Sequence, residues 1–324
     1  MEEIYHILYT SDKNYFPHMV TSIYSLLENN KSSNFMIHIM GSGYTKIEDK
    51  ILEDIINLYS NCDIQVYDIS RISPLMRKFD LPKWRGTDMA YARLFFQEVI
   101  PDVSKLLYLD CDTTVVSSLD ELFRKEISTP VAAVKEIVIP SHIKGKLDTY
   151  YNAGVLLFNY ELWEKESCLD TLYKALQNLD MELLFADQDL LNFSLNQKII
   201  PLSIKYNMMP IIATTVQHPF LARKFYRDRS YFYEQKEVEE AFQHPHILHN
   251  LSYLQARVWQ QNKIHPFHSS YDFYRMMWDE NYHKKENSKL LPNCTFSPML
   301  NLALKTYAGD EIHQKIKKVV KKVL

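Results

Sequence analysis

The chain has 324 residues, enough to bury a large core in one big domain or in one domain with an appendage. Apolar residues make up 46% and charged residues 24%, the proportions of a soluble globular protein rather than a disordered or fibrous one. A net charge of −3 gives no global attraction to nucleic acid.

The apolar run Ile4–Tyr9 predicts a strand, followed by a polar loop over Thr10-Ser11-Asp12-Lys13-Asn14. Val20, Ile23, Leu26 and Leu27 then recur at helical spacing, and Asn29-Asn30 ends that helix. Phe35–Met40 reads as a second strand, stopped by Gly41-Ser42-Gly43. Thr45 with Glu48 three residues on is a capping box, opening a helix whose expected inner face is Ile47, Ile51, Ile55 and Leu58. Ile64–Ile69 reads as a third strand, Thr87–Val99 as a helix closed by Pro101, and Lys105–Leu109 as a fourth strand. Strands at Val131–Val134, Val155–Phe158 and Lys198–Ile204 follow, with helices over Leu169–Leu179 and Asp187–Leu195. Strands alternating with helices predict an α/β domain, a mixed but mainly parallel sheet flanked by helices. From about residue 260 the pattern turns helical, aromatic and basic, so residues 1–260 are expected to form the main domain and 261–324 a small helical C-terminal region. Asn287–Pro298 is the best linker candidate. In Asp310–Leu324, Ile312, Ile316, Val319, Val320 and Val323 share one helical face, and Lys315, Lys317, Lys318, Lys321 and Lys322 the other. Such a helix either docks on the domain with its lysines in water or lies on an anionic membrane surface.

Lys105–Val116 carries the chemistry. Its apolar strand ends in Asp110-Cys111-Asp112, and in open α/β sheets ligands bind beyond the carboxyl ends of the strands. Two acids one residue apart on a bending chain can turn toward one hard cation that keeps sites for phosphate oxygens. The tripeptide alone selects little, because Asp187-Gln188-Asp189 has the same form. The six glycines form neither a dinucleotide fingerprint nor a phosphate-binding P-loop, and no GxSxG elbow is present. The start MEEIYHILYT lacks the basic region of a signal peptide, and no run has transmembrane length. Cys62, Cys111, Cys168 and Cys294 form no CxxC pair, which argues against a disulfide framework or a structural zinc site. A cytosolic protein is expected, with a peripheral place at the inner face of the cell membrane if the basic helix binds lipid. The twenty-two tyrosines and sixteen phenylalanines mainly supply core packing.

The strand-DCDTT stretch looks like the first motif of the haloacid-dehalogenase phosphotransferases, but three strand–helix units precede it and the only Gly-Asp is Gly309-Asp310. Five motifs in order resemble another family, glycosyltransferase family 8, whose members include glycogenin and bacterial lipooligosaccharide galactosyltransferases. They are Thr10-Ser11-Asp12-x-Asn14-Tyr15, Tyr91-Ala92-Arg93-Leu94, Leu107-Tyr108-Leu109-Asp110-Cys111-Asp112, Tyr151-Asn152-Ala153-Gly154-Val155 and Asp187-Gln188-Asp189-Leu190-Leu191-Asn192. The resemblance runs from about Ile4 to His249 and implies a GT-A-type, Rossmann-like fold and a retaining, metal-dependent hexosyltransferase. It implies a UDP-sugar donor carrying glucose or galactose, a glycan, glycolipid or glycoprotein acceptor of the kind built into cell-surface glycans, and no nucleic-acid partner.

Carried over residue by residue, the resemblance gives Asp110, Asp112 and His249 as ligands for Mn²⁺ or Mg²⁺, with the imidazole favouring Mn²⁺. Thr10, Asp12, Asn14 and Tyr15 fall at the nucleoside edge, Cys111 within the metal motif, and Arg93 toward donor sugar or diphosphate. Asn152 and Asp187 would bind sugar hydroxyls, and Gln188 would sit against the reacting face of the sugar. An amide is a poor nucleophile, so the implied path is front-face attack through an oxocarbenium-like ion pair. One stretch departs from the family, which follows its histidine with Gly and Lys-Pro-Trp. Here direct register places Gln255 at the lysine, whereas two extra residues would let Arg257 and Trp259 fill the Lys and Trp positions. The departure leaves open a non-catalytic sugar-nucleotide-binding or scaffolding protein as the alternative.

Overall fold

The computed structural model describes residues 3–83, 89–101, 103–136, 143, 145–178, 182–217, 233–252, 257–260 and 265–282. The expected linker at Asn287–Pro298 and basic helix at Asp310–Leu324 lie outside these residues, as do Thr87 and Gln255.

The amino-terminal part builds parallel strands joined by helices. β1 (Ile4–Asp12), α1 (Phe16–Asn29), β2 (Asn34–Ser42), α2 (Lys46–Leu58) and β3 (Cys62–Asp68) follow in order. Both arms of the capping box form at α2, with Thr45 N donating to Glu48 Oε2 at 2.8 Å. The inner face of α2 is corrected by the structure. Leu52 and Ile55 are buried, whereas Ile47 and Leu58 stand exposed at the two ends of the helix. The reason is position: α2 covers β3 at the sheet margin, so only a narrow mid-helix stripe meets the core.

After α3 (Ser73–Phe79), the segment expected as a helix from Thr87 winds in 3-10 turns over Met89–Glu98, broken by a kink at Phe95. Tyr91 through Phe96 are all buried there, so no polar face constrains it to an α-helical stripe. β4 (Lys105–Leu109) and β5 (Thr113–Val115) flank the acid pair, and α4 (Asp120–Arg124) and β6 (Val131–Lys135) follow. β7 (Tyr151–Asn159) starts four residues before the apolar run that announced it, which makes Asn152, Ala153 and Gly154 strand residues. α5 (Tyr160–Lys165), α6 (Cys168–Gln177) and α7 (Ala186–Leu195) lead to β8 (Ile199–Pro201). The strand expected to reach Ile204 stops at Pro201, which has no N–H to continue a ladder, and Ile204–Tyr206 is a 3-10 turn. α8 (Pro210–Gln217), α9 (Gln235–Gln243), β9 (Ile247–His249) and α10 (His268–Met276) complete the described chain.

Seven strands form one sheet in the order β3-β2-β1-β4-β7-β6-β8. β3, β2, β1 and β4 run parallel, β7 runs antiparallel to β4 and β6, and β8 is parallel to β6. The central strands of the sheet are buried on both faces. Tyr5, Ile7 and Tyr9 of β1 pack with α1 on one side, and Leu8 packs with Tyr91, Phe95 and Phe96 on the other. This is the pattern of a GT-A-like α/β domain, in which central strands read as continuous apolar runs. Among the described residues no helix is long and apolar enough to cross a membrane.

A second, two-stranded sheet pairs β5 with β9 antiparallel, so that Thr113 lies opposite His249. Polar residues of α1, the buried Ser22 and Ser25 and the half-buried Asn29, hold β5 in place. Ser22 Oγ lies 2.9 Å from both Tyr9 OH and Thr113 Oγ1, and Val115 N donates to Ser25 Oγ at 2.8 Å. Asn29 Nδ2 donates to Val115 O at 3.0 Å and to Tyr274 OH of α10 at 2.7 Å.

Gly154 is where the small sheet meets the large one. A Cβ built there would lie 2.0 Å from His249 Cε1 and 2.7 Å from Nδ1, closer than any real contact. Neither side can retreat, because His249 is buried in β9 and Gly154 is fixed in β7. Gly154→Ala is therefore expected to displace His249 and to destabilise the fold by about 1–3 kcal/mol, the usual range for overpacking a tight core. Denaturant unfolding of the two proteins measures this, and equal midpoints would contradict the close approach.

Candidate active site

β4 delivers Asp110 to the carboxyl end of the parallel strands, where Asp110 N donates to Gly154 O at 2.8 Å. The chain turns at once: Thr113 N and Oγ1 both donate to Asp110 O, at 3.1 and 2.8 Å. Asn250 N donates to Asp112 O at 2.7 Å, extending the β5–β9 register and bringing His249 to the acids. His249 Nε2 lies 3.4 Å from Asp110 Oδ2 and 3.4 Å from Asp112 Oδ1. One ligand atom from each of the three residues falls within 4.8 Å of the others.

Two arginines flank this trio. Arg93 is buried, with Nη1 2.8 Å from Asp110 Oδ1 and 2.7 Å from Ala153 O. Its guanidinium stands 4.2 Å from the centre of the Tyr108 ring, whose hydroxyl donates to Asp110 Oδ1 at 2.6 Å. Its Nε donates to Ala90 O at 3.0 Å and lies 3.1 Å from Asp187 Oδ2. Because that N–H points at Ala90, Asp187 Oδ2 is paired in charge but has no hydrogen-bond partner. On the other side Arg257 Nη1 is 3.2 Å from Asp112 Oδ2.

Burial and charge set the protonation of these groups. Burial opposes ionisation of Asp110, but the charges of Arg93 and His249 and the hydrogen bond from Tyr108 hold it well below the usual carboxylate range. Burial likewise opposes the imidazolium of His249, yet the two carboxylates 3.4 Å away, Asp110 and Asp112, raise it to about 9. Asp187 goes the other way, pushed up to about 7 by burial, with Arg93 offsetting part of the rise.

The donor set fits a divalent cation. His249 Nδ1 lies 2.9 Å from Asn207 Oδ1, so that nitrogen carries a proton, and when the ring gives up its second proton the lone pair is on Nε2, on the side of the two carboxylates. Nε2 is also a buried atom with no hydrogen-bond partner of its own. Two carboxylates and one imidazole around a buried point suit a metal that takes both oxygen and nitrogen ligands, and the metal would displace the His249 proton.

Of the remaining predicted residues, Thr10 and Cys111 lie beside the acids, whereas Asp12 and Asn14 bond within their own loop. Thr10 Oγ1 is 3.2 Å from Tyr108 OH, and Cys111 Sγ turns to Thr10 O at 3.2 Å. Burial drives the Cys111 thiol upward, so it stays protonated. Asp12 organises its own loop, with Tyr15 N donating to its Oδ1 at 2.9 Å and Asn14 Nδ2 to its Oδ2 at 3.3 Å. The Tyr15 ring meets the Trp259 ring edge-on with centroids 6.1 Å apart, and Trp259 stacks on His18 at 3.7 Å. The Arg257–Gln260 turn is thereby tied to the loop after β1.

The second acid pair separates. Asp187 faces Arg93, whereas Asp189 is buried as an acceptor for Tyr150 OH and for Phe185 N at the entry to α7. Asn192 clamps α7 to β7, accepting from Tyr151 N at 2.7 Å and donating to Tyr151 O at 2.8 Å. Gln188 Oε1 accepts from Ala153 N at 3.0 Å, and Asn152 Oδ1 accepts from Gly154 N at 2.9 Å. Both amides also reach Glu136 Oε1, a residue that sequence reasoning missed along with Asn207. Glu136 follows the apolar run of β6 much as Asp110 follows β4, a signal that could have found it. Nothing in the local pattern marks Asn207.

Comparison with known proteins bears on the family and the fold. The family model described as Glycosyl transferase family 8 matches residues 6–263. General stress protein A of Bacillus subtilis (strain 168) is 24% identical over 283 residues, covering 84% of this chain and 93% of that protein. Lipopolysaccharide 1,2-glucosyltransferase of Escherichia coli is 29% identical over 217 residues, covering 63% of this chain and 62% of that protein. Among solved structures, the galactosyltransferase LgtC, in complex with donor and acceptor sugar analogs, superposes with a TM-score of 0.67 at 18% identity, covering 88% of this chain and 98% of that one. The glycosyltransferase GlyE of Streptococcus pneumoniae TIGR4 superposes with a TM-score of 0.61 at 19% identity, covering 90% and 66%. At such identities the structures speak to the fold alone, and the match over residues 6–263 speaks to the family: the chain belongs to glycosyl transferase family 8.

Proposed function

We propose that this glycosyltransferase moves a hexose, glucose or galactose, from a UDP-sugar to a glycan, glycolipid or glycoprotein acceptor with retention of configuration, assisted by Mn²⁺. The observation that carries the reading is the buried, unpartnered His249 Nε2 aimed at Asp110 and Asp112 between two arginines. A UDP leaving group develops negative charge on a diphosphate; Asp110, Asp112 and His249 would hold the cation, which would supply Lewis-acid charge against it.

The protein's own groups do the rest. Thr10, Asp12, Asn14 and Tyr15 line the end of β1 next to the acids, a place suited to the nucleoside. Arg257 pairs with Asp112 now, and its fork suits a diphosphate oxygen once that carboxylate is engaged elsewhere. That placement supports Arg257 and Trp259 as the stand-ins for the family's Lys and Trp, and with them an active enzyme rather than a degenerate module. Asp187 and Asn152 offer hydrogen bonds to sugar hydroxyls. Gln188 already accepts from Ala153 N, and an amide so committed favours front-face attack, with its dipole steadying positive charge on the sugar.

UDP release from UDP-glucose and from UDP-galactose tests the reading. Release is expected with Mn²⁺, to vanish with EDTA and to return when Mn²⁺ is restored; release indifferent to EDTA, or none from any UDP-sugar with an acceptor supplied, would overturn it. Arg257→Ala is expected to lower kcat/KM by roughly 10- to 100-fold, the scale of one lost charge-assisted hydrogen bond to a phosphate. Steady-state kinetics with varied donor measures the loss, and an unchanged kcat/KM would remove Arg257 from the leaving-group contact.

A further inference from the structure

A line of side-chain hydrogen bonds joins His249 to Gln188 through two residues outside every motif. His249 Nδ1 lies 2.9 Å from Asn207 Oδ1, and Asn207 Nδ2 lies 2.8 Å from Asn152 Oδ1. Asn152 Nδ2 is 2.7 Å from Glu136 Oε1, and Gln188 Nε2 reaches the same oxygen at 3.4 Å. His249, Asn207 and Asn152 are 1%, 0% and 4% exposed, so water is not a ready substitute partner.

The polarity of this line is forced. A backbone N–H can only donate, and Gly154 N meets Asn152 Oδ1 while Ala153 N meets Gln188 Oε1. Each amide thus turns its oxygen to the β7 backbone and its NH₂ onward, and both NH₂ groups converge on Glu136. Asn207 must donate to Asn152, because Asn152 Oδ1 has no proton to give. Asn207 Oδ1 is then left to accept from His249 Nδ1–H. The neutral imidazole consequently carries its lone pair on Nε2, the atom facing Asp110 and Asp112.

We infer that Asn207 and Glu136 are positioning residues of this enzyme. Asn207 holds His249 in the metal-binding tautomer, and Glu136 is the shared anchor that keeps Asn152 and Gln188 oriented on the sugar side. The inference rests on the proposed metal role of Asp110, Asp112 and His249. It divides labour along the line: the Asn207 branch serves the cation, and the Glu136 branch serves the reacting sugar.

The test titrates Mn²⁺ into the full chain without nucleotide, following free Mn²⁺ by electron paramagnetic resonance, and measures kcat for UDP-sugar turnover in parallel. Asn207→Ala is expected to weaken Mn²⁺ binding by roughly 10- to 100-fold, the usual effect of losing a ligand's outer partner. Asn207→Asp still accepts from His249 but sets an oxygen against Asn152 Oδ1, so it is expected to keep Mn²⁺ affinity and lose kcat. Glu136→Ala is expected to lower kcat about tenfold or more with Mn²⁺ affinity retained, the scale of one or two lost orienting hydrogen bonds. Glu136→Gln, which can still accept at the same place, is expected to recover most of that loss. Wild-type Mn²⁺ affinity in Asn207→Ala, or wild-type kcat in Glu136→Ala, would overturn the inference. Where alanine at 207 prevents folding, unchanged kcat in Asn207→Asp would do the same. Asp112→Asn separates the two levels: if it binds Mn²⁺ as tightly as wild type, the metal reading itself fails, whereas weak binding there with full binding in Asn207→Ala refutes only the relay.

Discussion

The pairing of three residues in β5 with three in β9 holds the site together. Without it the acids after β4 would be a flexible polar turn, since His249 lies more than a hundred residues further along the chain. The pair is too short to be stable by itself, and its register comes from both sides. On one side the buried Ser22 and Ser25 and the half-buried Asn29 of α1 supply hydrogen bonds to β5. On the other, His249 rests directly against the bare Cα of Gly154. Buried serines on a helix are poor choices for packing alone, and here they fix the strand that positions two metal-ligand candidates.

Charge is the second constraint. Asp110, Asp112 and Asp187 converge within a largely buried space, and Arg93, Arg257 and the His249 imidazolium balance them. Arg93 sits between Asp110 and Asp187, and removing one partner of such a buried pair costs about 3–5 kcal/mol. Proton affinities show how fine the balance is. Asp110 is held ionised, Asp187 is pushed up to about 7, and His249 keeps its proton to about 9 until something replaces it. A cation arriving at the acids would substitute for a proton that the site already holds.

The order of strands and helices and the acid pair were readable in the residues because they rest on local signals. Apolar runs mark β4 and β7, Thr45 and Glu48 mark the start of α2, and the five motifs mark the site in order. What escaped depended on contacts across the chain. Ile47 and Leu58 carry the right spacing, but the edge position of β3 leaves them in water. The Tyr91–Phe96 stretch is buried all round, its one charged residue Arg93 included, and periodicity does not tell an α-helix from a tighter one there. The two copies of D-x-D are alike as text, and only the fold directs one to His249 and splits the other between Arg93 and Tyr150. Asn207 has no sequence signal, since its role exists only because β9 returns beside β7.

The central claim is that Asp110, Asp112 and His249 together hold the cation on which donor cleavage depends. Anomalous diffraction at the manganese edge, from crystals grown with Mn²⁺ and UDP, tests it most directly. The account predicts a single strong peak bonded to both carboxylates and to His249 Nε2, with Asn207 still accepting from Nδ1. A peak elsewhere, or a diphosphate bound with no metal between it and the two acids, would contradict it.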